Sequence, residues 1–351
     1  MKRLIIIVLL LVLQSNIFSQ GSSLFPEFAT SRFARSAAMG NAYTGFAEGT
    51  EAAFVNNAGL AFENDFGIIF ANGQGLVYAW GDPKNISVAA SLPCDFLDGN
   101  ISAYVLHQKL DFMGQTDTKR IYNISYSRKL FYNFAIGGGL SWYHSTMENP
   151  GWEEFSDVSG NALTFNLSAL YRIPKLNLIT PMDEIRIGAV FTNLFSSTFY
   201  YIDEAQKDPI CQELRVGASY SLKPELFFDD LRLFRFVLAA SANYQLTKYK
   251  FETVNPNIGI ELTLLEVLSL RYGRENWKDY YDSEVTTSQF PVKRYGFGIH
   301  LPLSRILKIK QDFSLDFDMV FSKWDKEKEF QSYNSDTFDD SFLSVQAVYR
   351  M

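Results

Sequence analysis

The sequence predicts an all-β fold, a transmembrane antiparallel β-barrel of about 14 strands. Three observations carry this. Apolar residues alternate with small or charged ones along most of the chain, compact connections tend to alternate with longer polar ones, and the chain ends inside its last strand, FLSVQAVYRM. A water-soluble sandwich would also alternate. Uneven connections and a strand running to the terminus suit closure in lipid, where no free edge is tolerated.

The chain opens with MKRLIIIVLLLVLQSNIFSQ, where Lys2 and Arg3 precede an apolar run and small polar residues follow. Residues 1–19 read as a secretory signal peptide, too short and wrongly flanked for a membrane helix. Its removal leaves 30 Lys and Arg against 39 Asp and Glu. An acidic exported chain is a poor partner for nucleic acid. No later segment approaches the ~18 apolar residues of a membrane helix, so the 47% hydrophobic content must be buried in a core or against lipid. No linker divides residues 63–351, which read as one barrel domain.

The best strand is NALTFNLSALYRI, with Leu163, Phe165, Leu167, Ala169, Tyr171 and Ile173 on one face and Thr164, Asn166, Ser168 and Arg172 on the other. ELRVGASYSL alternates likewise. Strands are expected at 75–81, 85–92, 100–109, 119–130, 132–145, 161–173, 183–196, 212–222, 231–249, 255–263, 266–274, 292–302, 306–322 and 341–351. The last places Leu343, Val345, Ala347, Tyr349 and Met351 outward. Trp80, Trp142, Tyr143, Phe199, Tyr200 and Trp277 near strand ends fit interfacial girdles. The opposite faces put Arg172, Arg186, Glu213, Arg215, Glu261, Arg271, Asp312, Asp316 and Asp318 in the lumen. Each would cost about 2–4 kcal/mol in mid-bilayer lipid, so acid–base pairing across strands is expected.

Little points to catalysis. His107, His144 and His300 stand singly, without metal-ligand spacing, and no nucleophile motif is present. Neither a metal nor a cofactor is expected, and the chain reads as a non-enzyme. Asp336, Asp339 and Asp340 lack an EF-hand pattern. Cys94 and Cys211 fall at opposite ends of a ~25 Å wall and are expected to be free thiols. Gly137, Gly138 and Gly139 interrupt a good strand, marking either a kinked wall with a lateral opening or a close fit to an internal plug. The aromatic, acidic stretches Asn276–Glu284 and Lys323–Asp340, with Trp277, Tyr280, Tyr281 and Trp324, are candidate partner loops.

The segment RSAAMGNAYTGFAEGTEAAFVNNAGLAF, Arg35 to Phe62, resembles the opening of the PorV/PorQ family of outer-membrane proteins, related to FadL-type fatty-acid transporters. Its motif positions are Arg35, Met39, Gly40, Asn56, Asn57, Ala58, Gly59 and Leu60, with Asn57 in place of the family proline. IRIGAVFTNLF, ELRVGASYSL, NIGIELTLLEVLSLRYG and YGFGIHL are similar to later family segments. The resemblance implies an outer-membrane barrel of a Gram-negative bacterium whose residues 20–62 fold into the lumen as a hatch. It also implies a scaffold or shuttle role in type IX secretion, with secretion-machinery proteins or secreted C-terminal signal domains as partners beside outer-membrane lipid. The related transporters imply the alternative, passage of hydrophobic small molecules. Gly and Ala suit a segment threading among lumen side chains, Thr50 is placed to cap a short helix over Ala52–Val55, and Asn57 is expected to loosen the backbone.

Overall fold

The computed structural model describes residues 33–74, 84–112, 115–148, 157–194, 198–199, 208–210, 212–228, 231–246, 254–281, 286–308, 311–324 and 341–350. Alternating sequences generate 14 strands that close into one antiparallel barrel. They are β1 (Asp65–Gln74), β2 (Lys84–Cys94), β3 (Gly99–Phe112), β4 (Gln115–Phe131), β5 (Phe134–Glu148), β6 (Asp157–Ile173) and β7 (Glu184–Thr192), followed by β8 (Glu213–Leu222), β9 (Phe234–Gln245), β10 (Val254–Leu264), β11 (Leu268–Tyr281), β12 (Thr286–Leu301), β13 (Asp312–Trp324) and β14 (Ser341–Arg350). Each strand pairs with its neighbour in the chain. β1 and β14 shut the ring, from Asp65 opposite Arg350 to Gln74 opposite Ser341.

We call the end holding Asp65 and Arg350 the near end, and the opposite end the far end. Before β1 lie α1 (Ala34–Ala38), α2 (Ala52–Val55) and a 3-10 helix over Asn57–Phe62. A third helix, α3 (Leu303–Leu307), fills the turn before β13. The outer wall is apolar: Ile68, Phe70, Ile124, Leu163, Ile187, Val216, Phe297 and Leu343 are all exposed, while Ile69, Ala71, Leu170 and Phe342 point inward and are buried. An exposed hydrophobic belt on a closed barrel is a lipid-facing surface. Tyr349 is outward too, as the terminal alternation requires.

Several strand boundaries differ from the sequence reading. The first strand is Asp65–Gln74, and the expected strand at 75–81 lies outside the described residues. Two expected loops are largely strand. β3 and β4 pair up to Phe112 opposite Gln115, and β11 and β12 up to Tyr281 opposite Thr286. Backbone pairing outruns the lipid-matched alternation at the far end, because a strand that projects into water keeps its ladder without needing apolar outward residues.

Trp277, Tyr280 and Tyr281 accordingly lie in β11, and Trp324 closes β13, rather than in loops. Residues 282–285 and 325–340 lie outside the described residues, as do residues 1–19, expected to be a signal peptide, and Trp80, Tyr200 and Cys211. Cys94 is a free thiol at the end of β2. Trp142 faces outward, stacked on Tyr122 at 5.2 Å. Tyr143 is buried and not in a girdle: as its strand neighbour it must face the lumen, where its hydroxyl donates to Asn193 Oδ1 at 3.0 Å.

Candidate functional site: the lumenal hatch

The hatch crosses the lumen because both surfaces are small where they meet. Gly40 adopts φ +62°, and a Cβ there would lie 2.7 Å from the backbone nitrogen of Arg274. A Cβ on the facing Gly273 would strike the backbone nitrogen of Gly40, and one on Gly45 would lie 2.6 Å from the carbonyl oxygen of Gly217. Glycine on both sides is a condition of this backbone-to-backbone approach. Bulk sits at other hatch positions, where Phe33, Met39, Tyr43, Phe46 and Leu60 are fully buried.

The same fit explains Gly137–Gly139. β5 keeps its register with β6 from Phe134 to Glu148, so the wall has no kink and the lateral-opening expectation is corrected. A Cβ on Gly137 would lie 2.7 Å from Cγ of Asn57. Gly137 makes room for the hatch, whereas a Cβ on Gly139 would press on Ser125 of the neighbouring strand.

The first half of the hatch, residues 33–51, is fastened by ions. Arg35 grips Glu261 through two nitrogens at 2.7 and 2.8 Å and reaches Glu48 at 3.1 Å. Arg271 joins that cluster, 2.6 Å from Glu261 and 2.5 Å from Asp318. Glu48 also receives a two-pronged contact from Arg235, at 2.7 and 2.9 Å, and one from Arg186 at 3.1 Å. Burial opposes ionisation of Glu48, but Arg235, Arg186 and Arg35 outweigh it and hold its carboxyl well below the ordinary range. The three guanidiniums flank the Phe46 ring at 5.1 to 5.8 Å, and Arg186 donates to the Phe46 carbonyl at 2.8 Å.

Other predicted lumen charges also pair with one another along the wall. Arg172 and Arg186 share Glu184, at 2.9 and 2.5 Å, with Lys223 at 3.0 Å. Glu213 and Arg215 stand 3.3 Å apart. Asp316 meets His300, and Asp312 meets the exposed Arg350 at the near end. Glu48, Arg235 and Glu184 had not been singled out from the sequence. Arg235 was legible, since it shares the inward face of β9 with Val237 and Ala239, both buried.

The second half, residues 52–62, is held by neutral groups. Thr50 does not cap α2: Glu51 occupies the N-cap without a side-chain bond, while Thr50 Oγ1 accepts from Ser91 Oγ at 3.4 Å. The Glu51 carboxylate instead accepts from the Ser36 backbone at 2.9 Å. Asn56 donates to the carbonyls of Thr44 at 2.8 Å and Ala169 at 3.2 Å. Asn57 does not loosen the chain. Its amide donates to the Gly138 carbonyl at 3.4 Å, and its Oδ1 accepts from Ser168 Oγ, which in turn accepts from Ala58 N at 3.1 Å. The Asn57 amide is therefore a tie to the wall.

Beside this half, toward the far end, lies a cavity of about 50 Å³. Phe54, Val55 and Asn57 of the hatch line it, with Tyr104, Ile121, Tyr143, Leu167 and Val190 from the wall and the Glu213–Arg215 pair at its edge. A larger, polar vestibule of about 520 Å³ adjoins the ionic half.

No protein-family model matches the chain, and no curated protein matches it. Solved structures do. A FadL homologue of Pseudomonas aeruginosa superposes with a TM-score of 0.51 at 12% identity, over 90% of this chain and 98% of that one. A structure described as the TodX monoaromatic hydrocarbon channel deltaS2 mutant gives 0.51 at 11% identity, over 90% and 97%. At such identities the likeness shows the fold: this chain forms a closed 14-stranded antiparallel barrel similar to those of FadL-like outer-membrane proteins.

Proposed function

We propose that the protein admits hydrophobic small molecules across the outer membrane, with residues 52–62 as the movable part of its plug. The carrying observation is the cavity against Phe54, Val55 and Asn57, placed where the hatch makes no ion pair to the wall and is held by neutral hydrogen bonds and by Arg172 and Lys129 over the Phe62 ring. At about 50 Å³ it is smaller than the ~150 Å³ apolar cavity known to take benzene. A ring fits only when this half of the hatch shifts, which couples occupancy to opening. The likeness to barrels that include a monoaromatic hydrocarbon channel supports this reading, and the near end then faces the periplasm. The finer alternative, a type IX secretion scaffold of the PorV/PorQ kind, rests on the N-terminal resemblance and on strand-end aromatics such as Trp277, Tyr280, Tyr281 and Trp324.

Uptake of the apolar dye N-phenylnaphthylamine by cells carrying the barrel tests this. Wild-type cells should take up dye several-fold faster than cells carrying Val190→Arg, which fills the cavity. Equal rates, together with recovery of secretion components in a pull-down from native membranes, would move the assignment to the scaffold.

A further inference from the structure

The vestibule at the near end has the opposite charge character to the chain. The protein is acidic, with 39 Asp and Glu against 32 Lys and Arg. The vestibule is lined by six side chains that carry positive charge (Arg35, Lys223, Arg232, Arg235, Arg271 and Arg350) and four that carry negative charge (Glu48, Glu266, Asp316 and Asp318), with His300 beside Asp316. Its mouth is at the near end, marked by Arg350, by Lys223 just after β8 and by Glu266 in the turn after β10.

At its inner wall three guanidiniums converge on one carboxylate, and that carboxylate belongs to the hatch. Arg235 meets Glu48 in the fork-to-fork arrangement that suits a carboxylate. The groups are not sealed off: side-chain exposure is 14% for Glu48, 21% for Arg235 and 20% for Arg35 and Lys223. Removing Glu48 from this lining would leave Arg235 without the carboxylate it grips, beside Lys223 and Arg232 in the same chamber, while Arg35 keeps Glu261 and Arg186 keeps Glu184. Such an arrangement binds anions.

We propose that the vestibule is a binding site for a small organic carboxylate arriving from the periplasmic side, and that Glu48 occupies it in the closed state as an internal stand-in. A dissolved carboxylate takes over the Arg235 fork, with Arg35 and Arg186 alongside and Lys223 or Arg232 available for a second acidic group. Displacing Glu48 removes a tie between hatch and wall. This site lies on the other face of the hatch from the far-end cavity and stands whether or not hydrocarbons enter from outside.

Titration calorimetry of the refolded full-length barrel with succinate, at low ionic strength, tests the site. Succinamide, which has the same shape without charge, serves as control, and heat-modifiable gel mobility verifies folding. Glu48→Gln removes the internal competitor and should tighten succinate binding at least tenfold. Arg235→Gln should abolish binding. Should Arg235→Gln not fold, Arg235→Lys, which keeps the charge and loses the fork, should weaken binding about tenfold. The proposal is overturned by unchanged affinity in Glu48→Gln, by undiminished affinity in the Arg235 variant that folds, by equal heat from succinamide, or by inorganic phosphate binding as well as succinate. Absence of heat with all the folded proteins overturns it as well.

Discussion

The two halves of the hatch solve the same docking problem with different chemistry. Residues 33–51 lie mainly against β7–β14 and are held by Arg35 and Glu48, in contact with Glu261, Arg235 and Arg186 of the wall. Residues 52–62 lie against β2–β7 and are held by amide and hydroxyl groups of Asn56, Asn57 and Ser168. Neutral hydrogen bonds contribute about 0.5–1.5 kcal/mol each, whereas leaving one partner of a buried ion pair uncompensated costs about 3–5 kcal/mol. Anchor and moving part are thus separated along one short segment. The cavity lies beside the weaker half.

The largest test is Glu48→Ala, which strands Arg235 and takes one of two carboxylate partners from Arg35 and from Arg186. It should weaken docking by about 3 kcal/mol, the low end of the range for breaking a buried pair because these side chains keep some solvent contact. Protease cleavage within residues 33–51 and raised conductance of reconstituted barrels would report it. An unaltered digestion pattern would show that glycine packing alone anchors the first half.

Next comes pH. The Glu51 carboxyl is pushed up from 4.5 to about 7 by burial first and by Asp318 second, against bonds from Ser36 and attraction from Arg35. A raised pKa means the docked hatch binds more protons than the undocked one. Docking is then most favourable below pH about 4.5 and weakens as pH rises through about 7, by up to about 3 kcal/mol. Hatch cleavage should accelerate between pH 5 and pH 8 on this account, and Glu51→Gln should flatten that profile. A slope that persists in Glu51→Gln would assign it to another group.

Gly273→Val drives side-chain atoms into the backbone of Met39 and Gly40. Overpacking of this kind costs about 1–3 kcal/mol, and denaturant unfolding should show the loss. Ser168→Ala breaks the tie to Asn57 and Ala58 at a cost of about 1 kcal/mol. It should speed dye uptake while leaving protease protection of residues 33–51 intact, which sharpens the contrast between the halves. Arg350→Ala removes exposed contacts to Asp65 and Asp312 at the closing seam and should change stability by under about 1 kcal/mol.

Much of the wall was legible because lipid enforces a period of two. Leu163 and Leu170 differ in face by position alone, and their exposure follows. Boundaries were less legible where strands leave the membrane: the residues around Trp277 alternate poorly, since water accepts either face, yet the ladder continues. The hatch motif was visible as a run of small residues, but the small wall residues opposite it were not interpretable one by one. Gly137–Gly139 could read as kink or cradle until Asn57 was seen against them.

By itself the sequence determined the barrel, the inward face of its charges and the smallness of its N-terminal segment, because these follow from local alternation and residue size. Only the tertiary structure decided which charges meet. Arg35 and Glu261 are separated by 226 residues, and Asn57 and Ser168 by 111. Such pairs arise from where the closed ring brings distant strands around the plug, and no local pattern encodes that distance.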